Sequence, residues 1–417
     1  MTVTRKQAIV VFLAFAFAYF FSALLRAVTA TLAPVFSAEL GLRAGDLGLL
    51  AGAYFFGFAA MQLPLGRALD RYGPRRTLLV LLAVAVLGCT AFAVATRLPG
   101  LIGARVLIGA GVGACLMAPL TCYRRIYSPA SQLRANSWML MTGSLGMVAS
   151  TVPVQLLLPT LGWRGLFWAV AALLALAMVG VAWLVPADPR PHPAHDGPAS
   201  AGASGGGVPS VGYRHIVRHP LFLRTAPLAF FLYGGLVAVQ SLWAGPWLTR
   251  VGGGSAEQAA QGLLLINLAM LFAFMTWGAM MPRLVRRGIG AVELMTWGLP
   301  LPLLLLFGNV ILGGRAGAAH WALWCVACTF VSVSQPAVGA AFPPALAGRA
   351  LSAFNLVIFG GVFCVQWGIG LLIDALRAWG LAEVDAFRLA FAAFGLCCVL
   401  AYLWFLRAGR TGVDNPG

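Results

Sequence analysis

The sequence predicts an all-α membrane protein: twelve transmembrane helices in two pseudo-symmetric six-helix bundles. Three observations predict it. The 417 residues are 61% hydrophobic and only 9% charged, with a mean hydropathy of +0.89, whereas soluble domains are roughly half apolar and a quarter charged. A water-soluble fold cannot hide that much apolar surface. Apolar stretches of about 20 residues, the length that crosses a hydrocarbon core, recur almost end to end between short polar or Gly/Pro breaks. Finally, a basic turn in the first half, Gly66 to Thr77 (GRALDRYGPRRT), has a degraded counterpart in the second, Gly278 to Ile289 (GAMMPRLVRRGI).

Taken in order, the first span covers 8–34. It is too long for a signal-peptide core and lacks a convincing cleavage site, so it is expected to remain as helix 1. Five more spans follow at about 46–66, 77–96, 100–123, 134–158 and 164–185. Composition then changes: the stretch from Pro186 to His219 is rich in Pro, Gly, Ala and Ser, has nothing to bury, and reads as a flexible linker. Six further spans lie near 221–249, 258–282, 289–312, 319–342, 350–373 and 386–407. The expected domains are therefore an N-terminal bundle (1–186), a cytoplasmic linker (187–220), a C-terminal bundle (221–408) and a short tail (409–417).

Charge orients this array. The net charge is +17, and 27 of the 28 basic residues are arginine, which hints at a GC-rich bacterial genome and hence a bacterial inner membrane. With the N-terminus inside, nineteen basic residues fall on the cytoplasmic side and seven outside, as the positive-inside rule requires. Both termini are then cytoplasmic. The basic residues sit mostly in connections and form no continuous face, so nucleic acid is not an expected partner; the lipid bilayer is.

All eight cysteines fall inside or at the ends of apolar stretches, where cysteine behaves as a small hydrophobe. Cys325 and Cys328 have no histidine or second pair beside them, so they read as packing rather than as a metal site. No cofactor is expected, and the absence of a nucleophile–base pair or phosphate loop argues against an enzyme.

The turn Gly66, Asp70, Arg71, Gly73, Arg75, Arg76 resembles the signature loop of the major facilitator superfamily, whose members are secondary transporters. Its glycines permit a tight turn and close helix approach; its charges imply a network at the cytoplasmic mouth that, in the family, helps hold the outward-open state. Arg105, Gly109, Gly111 and Gly113 in span 4 resemble a second superfamily motif and imply a conformational or proton-coupling role, the alternative being that Arg105, near the outer end, snorkels to water. Span 5 lacks the glycine–proline–glycine cluster of the drug/proton antiporters. The stretch from Gln335 to Asp374 is similar to a bacterial branch labelled organophosphate- or nitrate-permease-like.

Within the first span sits Arg26, and a membrane-buried arginine costs about 2.5–3.5 kcal/mol on insertion scales. The segment from Arg26 through Pro34 to Asp46 resembles the first span of organophosphate:phosphate antiporters, which place a phosphate-binding arginine eight residues before a similar proline. A guanidinium fork grips carboxylate or phosphate through two hydrogen bonds. Those antiporters use a second arginine in span 7, whereas span 7 here offers Gln240, Ser241 and Trp243 and no cation before Arg250. One arginine balances one negative charge, so a monocarboxylate or similar small organic anion fits better than a dianionic phosphate.

Further candidates for cargo contact are Tyr54, Gln240, Trp243, Gln335, Asn355 and Gln366; each could equally bond between helices. No Asp or Glu falls mid-membrane, so a proton, as the candidate coupling ion, would act through Arg26 and the substrate's own ionisation. The resemblance thus implies a monomeric permease moving a small organic anion by alternating access. Its rivals are an exporter of a drug, siderophore or metabolite, and a transporter-shaped sensor.

Overall fold

The computed structural model describes residues 5–127, 129–186 and 213–410, and within them the chain is helical without a β-strand. The first half comprises α1 (Arg5–Leu40), α2 (Ala44–Tyr72), α3 (Pro74–Val94), α4 (Leu98–Val112, continued by Ala114–Ile126), α5 (Pro129–Ala149) and α6 (Val152–Leu184). The second comprises α7 (Pro220–Val251), α8 (Ala256–Arg286), α9 (Ala291–Arg315), α10 (Ala318–Ala340), α11 (Pro344–Ala378) and α12 (Glu383–Arg410). With no water in hydrocarbon to satisfy backbone N–H and C=O groups, helices that satisfy their own are the natural way across.

Among the described residues eleven segments are long and apolar enough to cross a bilayer. The remaining expected span, the fifth at 134–158, is divided. The α5 helix stops at Ala149, and Ser150 and Thr151 intervene before α6. The cause is local. Pro153 has no N–H to offer the Ala149 carbonyl, while the Ser150 and Thr151 hydroxyls bond back to the carbonyls of Met147 and Val148. Thr31 of α1 then donates to the freed Ser150 carbonyl at 2.7 Å. The expected fifth span thus continues into the first turns of α6, which bends at Gly162 (φ 62°) before its long final stretch.

Residues 187–212 of the expected linker and 411–417 of the expected tail lie outside the described residues. Tyr213–Val217, inside the range read as linker, instead form a short helix, because Ile216 finds apolar partners in Phe222, Val338 and Phe342.

Two contacts draw the halves together on the face where α1 ends and α2 begins, here called distal because it lies opposite the ends Arg5 and Arg410. At one, α2 meets α11 so closely that a Cβ on Gly48 would stand 2.3 Å from the Gln366 carbonyl oxygen, and one on Gly370 would stand 2.3 Å from that of Ala44. At the other, α7 meets α1, where a Cβ on Gly245 would stand 2.6 Å from the Ala30 carbonyl oxygen. The distal side is therefore the closed one.

Candidate functional site

Arg26 lies on α1 seven residues after Tyr19, two turns along one face of the helix. It is half-buried. The hydroxyls of Tyr19 and Tyr54 are its hydrogen-bonding partners, Tyr233 of α7 faces it, and the guanidinium stands 5.8 Å from the centre of the Phe58 ring. Its Nε finds no partner. Among the described residues the groups acting on Arg26 are tyrosines, not carboxylates. The cation is thus solvated by phenols and ring faces, which leaves its charge unneutralised.

Aromatic packing continues from there across to the other half. Tyr54 stacks on Phe58, Phe58 meets Phe359 of α11 edge-on at 4.6 Å, and Phe359 stacks on Phe55. Tyr54 itself donates to the Ser22 carbonyl at 3.2 Å.

Arg105 of α4 does not reach for water at the membrane surface. It is 1% exposed, and its Nη1 donates to the carbonyl of Leu25, the residue before Arg26, at 3.0 Å. The rings of Tyr54 and Phe92 flank it, with centres 5.9 and 5.6 Å away. Gly109, one turn further on, lets α4 lie against α2 at the Tyr54 carbonyl, where a Cβ would stand at 1.9 Å. Gly113 caps the first segment of α4. Arg105 and Gly109 therefore hold from behind the two side chains that form the site, Arg26 and Tyr54.

The other sequence candidates fall elsewhere. Gln240 donates to Asn267 of α8 at 2.9 Å, and Gln366, fully buried, donates to Ser241 at 2.9 Å. Trp243 donates to the Gln366 carbonyl at 3.1 Å. These groups tie α7 to its neighbours inside the second half. Gln335 donates to Asn355 and ties α10 to α11; Asn355 lies one helical turn before Phe359.

At the signature loop, Gly73 takes φ 81°, as a turn between two abutting helices demands, and Arg75 donates to the Ala182 carbonyl of α6. Arg71 lies over the Tyr72 ring, and Thr77 donates to the Ala68 carbonyl at 3.0 Å. Gly66 does not mediate close helix approach as expected: a Cβ there would meet nothing within 4 Å. The side chain of Asp70 lies outside the described residues. At the distal end of the same helix, α2 begins against Asp374 of α11, whose carboxylate accepts the N–H groups of Ala44 at 3.1 Å and Gly45 at 2.8 Å.

The family model described as Major Facilitator Superfamily matches residues 15–363, most of the chain. The chain belongs to the major facilitator superfamily. As a superfamily member it is a transporter and not an enzyme. A bacterial homologue of the human lysosomal transporter Spinster, solved inward-facing and unoccupied, shares the fold over 99% of this chain and 100% of its own, with a TM-score of 0.75 and 18% identity. A chloramphenicol resistance protein of Streptomyces lividans is 33% identical over 178 residues, 42% of this facilitator and 43% of that protein; the chain thus aligns with less than half the length of that curated relative. A gallate transporter of Pseudomonas putida is 27% identical over 382 residues, 84% of each chain.

Sequence reasoning missed Tyr19, Phe58, Tyr233 and Phe359. Two of them carried a signal: Tyr19 and Arg26 are spaced i, i+7, and Tyr54 and Phe58 i, i+4, each pair on one helix face. Tyr233 and Phe359 come from the other half and carry no such mark. Asp374 reads from sequence as a span-end residue, with nothing to announce its partner more than 300 residues away.

Proposed function

We propose that this facilitator is a monomeric secondary permease of a bacterial inner membrane, with both termini cytoplasmic, that moves a small organic monocarboxylate by alternating access. One observation carries the reading: Arg26 is a membrane-embedded guanidinium with an unpartnered Nε and no carboxylate among the groups that act on it. An anion that presents two oxygens completes such a fork, and recovers part of the roughly 2.5–3.5 kcal/mol that embedding the arginine costs. The rings around Arg26 suit an unsaturated or aromatic body behind the carboxylate, in keeping with the gallate named for the long-range relative.

In this reading Arg26 and Tyr54 hold the cargo, and Arg105 holds α1 and Tyr54 in register. The distal seam and the Asp70–Arg76 loop close opposite ends of the path in turn. With no mid-membrane carboxylate, a proton would travel as part of the cargo's own ionisation.

Flux of radiolabelled gallate, benzoate and acetate into proteoliposomes tests it, with and without an imposed pH gradient. Saturable uptake of at least one acid is expected, with Arg26→Ala abolishing it and Arg26→Lys retaining a weakened form. Saturable uptake that survives Arg26→Ala unchanged would remove Arg26 from cargo binding. Export is favoured by a different observation, the relative named for chloramphenicol resistance. Chloramphenicol resistance conferred by expression of this chain, without carboxylate uptake, would establish that direction instead.

A further inference from the structure

On the distal side a cavity of about 560 Å³ opens between the two halves. Its position follows from α1. Arg26, Ala30, Ala33 and Ser37 succeed one another at spacings of four, three and four residues, which places them on a single helix face. Ala33 and Ser37 line the cavity. Ala30 lies beneath it, and there Gly245 of α7 closes the gap, with room for no Cβ. The seven residues from Arg26 to Ala33 rise about 10 Å. Cavity and Arg26 are thus successive stations on one path, separated by a seal of two small residues.

The walls of this vestibule are cationic. Arg43, Arg250 and Arg377 line it, against two carboxylates, Asp374 and Glu383. Both carboxylates are engaged. Asp374 accepts the first N–H groups of α2, and Glu383 lies 3.7 Å from Arg250. Arg43 and Arg377 are exposed and form no salt bridge among the described residues; Arg377 spends one N–H on the Leu381 carbonyl. Two guanidinium groups, one from each half, remain to face whatever enters.

We infer that this vestibule is a second anion-binding site, in which Arg43 and Arg377 hold the carboxylate of arriving cargo before the Ala30–Gly245 seal parts. The inference rests on the reading that Arg26 receives an organic anion. Arg43 lies at the start of α2 and Arg377 on α11, so a carboxylate between them touches both elements of the distal seam. The site is solvent-exposed, its pull is electrostatic, and salt therefore weakens it over a Debye length of about 10 Å at 0.1 M.

A cysteine reporter tests the inference without relying on transport. Ser37→Cys is introduced into the full chain in lipid nanodiscs, and its labelling rate is measured with two methanethiosulfonate reagents, one bearing a sulfonate and one a trimethylammonium group. Labelling of the protein without Ser37→Cys is subtracted. The ratio of the two rates, divided by the same ratio for a small free thiol in solution, cancels the reactivities of thiol and reagents and reports the local potential. The normalised ratio is expected to favour the sulfonate reagent about tenfold, falling toward one in Arg43→Gln/Arg377→Gln and in high salt. Arg43→Lys/Arg377→Lys, which keeps the charge, retains the preference. Millimolar gallate slows labelling in the parent and not in the Gln/Gln variant.

A ratio near one in the parent, or one that Gln/Gln leaves unchanged, overturns the inference. Adding Arg26→Ala separates the two readings. Preference retained with flux lost supports both, whereas preference retained with flux intact leaves the vestibule standing and removes Arg26 as the cargo site.

Discussion

The carboxylate of Asp374, near the distal end of α11, lies 2.8 Å from the backbone nitrogen of Gly45, in the first turn of α2. The two residues belong to opposite halves of the molecule. Asp374 also takes the Ala44 N–H, so it satisfies two of the orphan donors that every helix start leaves open and sets a negative charge against the positive end of the α2 dipole. Such a bond can exist only while the distal side is closed, which makes it, in the proposed alternating-access cycle, a latch on one of the two states.

Breaking the latch is therefore expected to shift the population rather than unfold the protein. Asp374→Asn keeps the shape but loses the charge, and hydrogen bonds to charged groups contribute about 1.5–3 kcal/mol. Gly45→Ala acts from the other side, since its Cβ would meet the Asp374 carboxylate at 2.7 Å. Spin labels at the distal ends of α2 and α11, read by double electron–electron resonance, should report a longer distance in both variants. An unchanged distance distribution would show that the seam is held by packing at Gly48 and Gly370 alone.

Arg105 is expected to act as a positioning residue. Its bond to the Leu25 carbonyl fixes the backbone beside Arg26, and its neighbour Tyr54 touches Arg26 as well. Arg105→Met removes a charge-assisted hydrogen bond, worth about 1.5–3 kcal/mol, so both the melting temperature and the cargo affinity should fall. Arg105→Lys can still reach a carbonyl, and should restore stability more fully than it restores affinity, because Lys lacks the planar fork that lies between the Tyr54 and Phe92 rings. Equal recovery of both quantities would reduce Arg105 to a purely structural group.

How far the molecule can be read from its sequence depends on what kind of order is involved. Spans were legible because hydrocarbon demands long apolar helices whatever the tertiary fold, and the break at Ser150 was not, because it depends on one proline and two hydroxyls acting against that demand. Arg26 was legible by its cost. Less legible is the setting of Gln240, because α7 contains π-helical turns at Ala229–Tyr233 and Val239–Trp243. Each inserted residue rotates the remainder of the helix by about 100°, so a face assigned by regular helical spacing is no longer the face that looks inward. Tyr233 comes to face Arg26, and Phe359 to pack on Phe58, only once two halves meet, a relation that no local pattern encodes.

Gln240, bonded between α7 and α8, is expected to matter more for stability than for cargo binding. Its side chain donates to Asn267, which in turn donates to the Leu263 carbonyl of its own helix. Gln240→Leu should lower the melting temperature by leaving the Asn267 oxygen without its donor, at about 1–3 kcal/mol, while the KM for cargo stays within twofold. Pairing it with Asn267→Leu removes both polar partners and should recover most of the lost stability. A KM that rises tenfold in the single variant, with stability intact, would return Gln240 to the cargo site.

Two glycines of the signature loop separate backbone demand from packing demand. Gly73 holds φ at 81° and ψ at 166°, a conformation essentially confined to glycine that costs other residues about 1–3 kcal/mol, and the chain must take it there because α2 ends at Tyr72 and α3 begins at Pro74. Gly66 sits in mid-helix with open space where a Cβ would go, and alanine is favoured over glycine inside a helix by up to about 1 kcal/mol. Gly73→Ala is therefore expected to lower the melting temperature in detergent and slow transport, and Gly66→Ala to leave stability equal or raised. Should Gly66→Ala instead abolish transport while the protein stays folded, α2 must bring that position against another helix in the opposite state of the cycle, the one in which the distal latch is open.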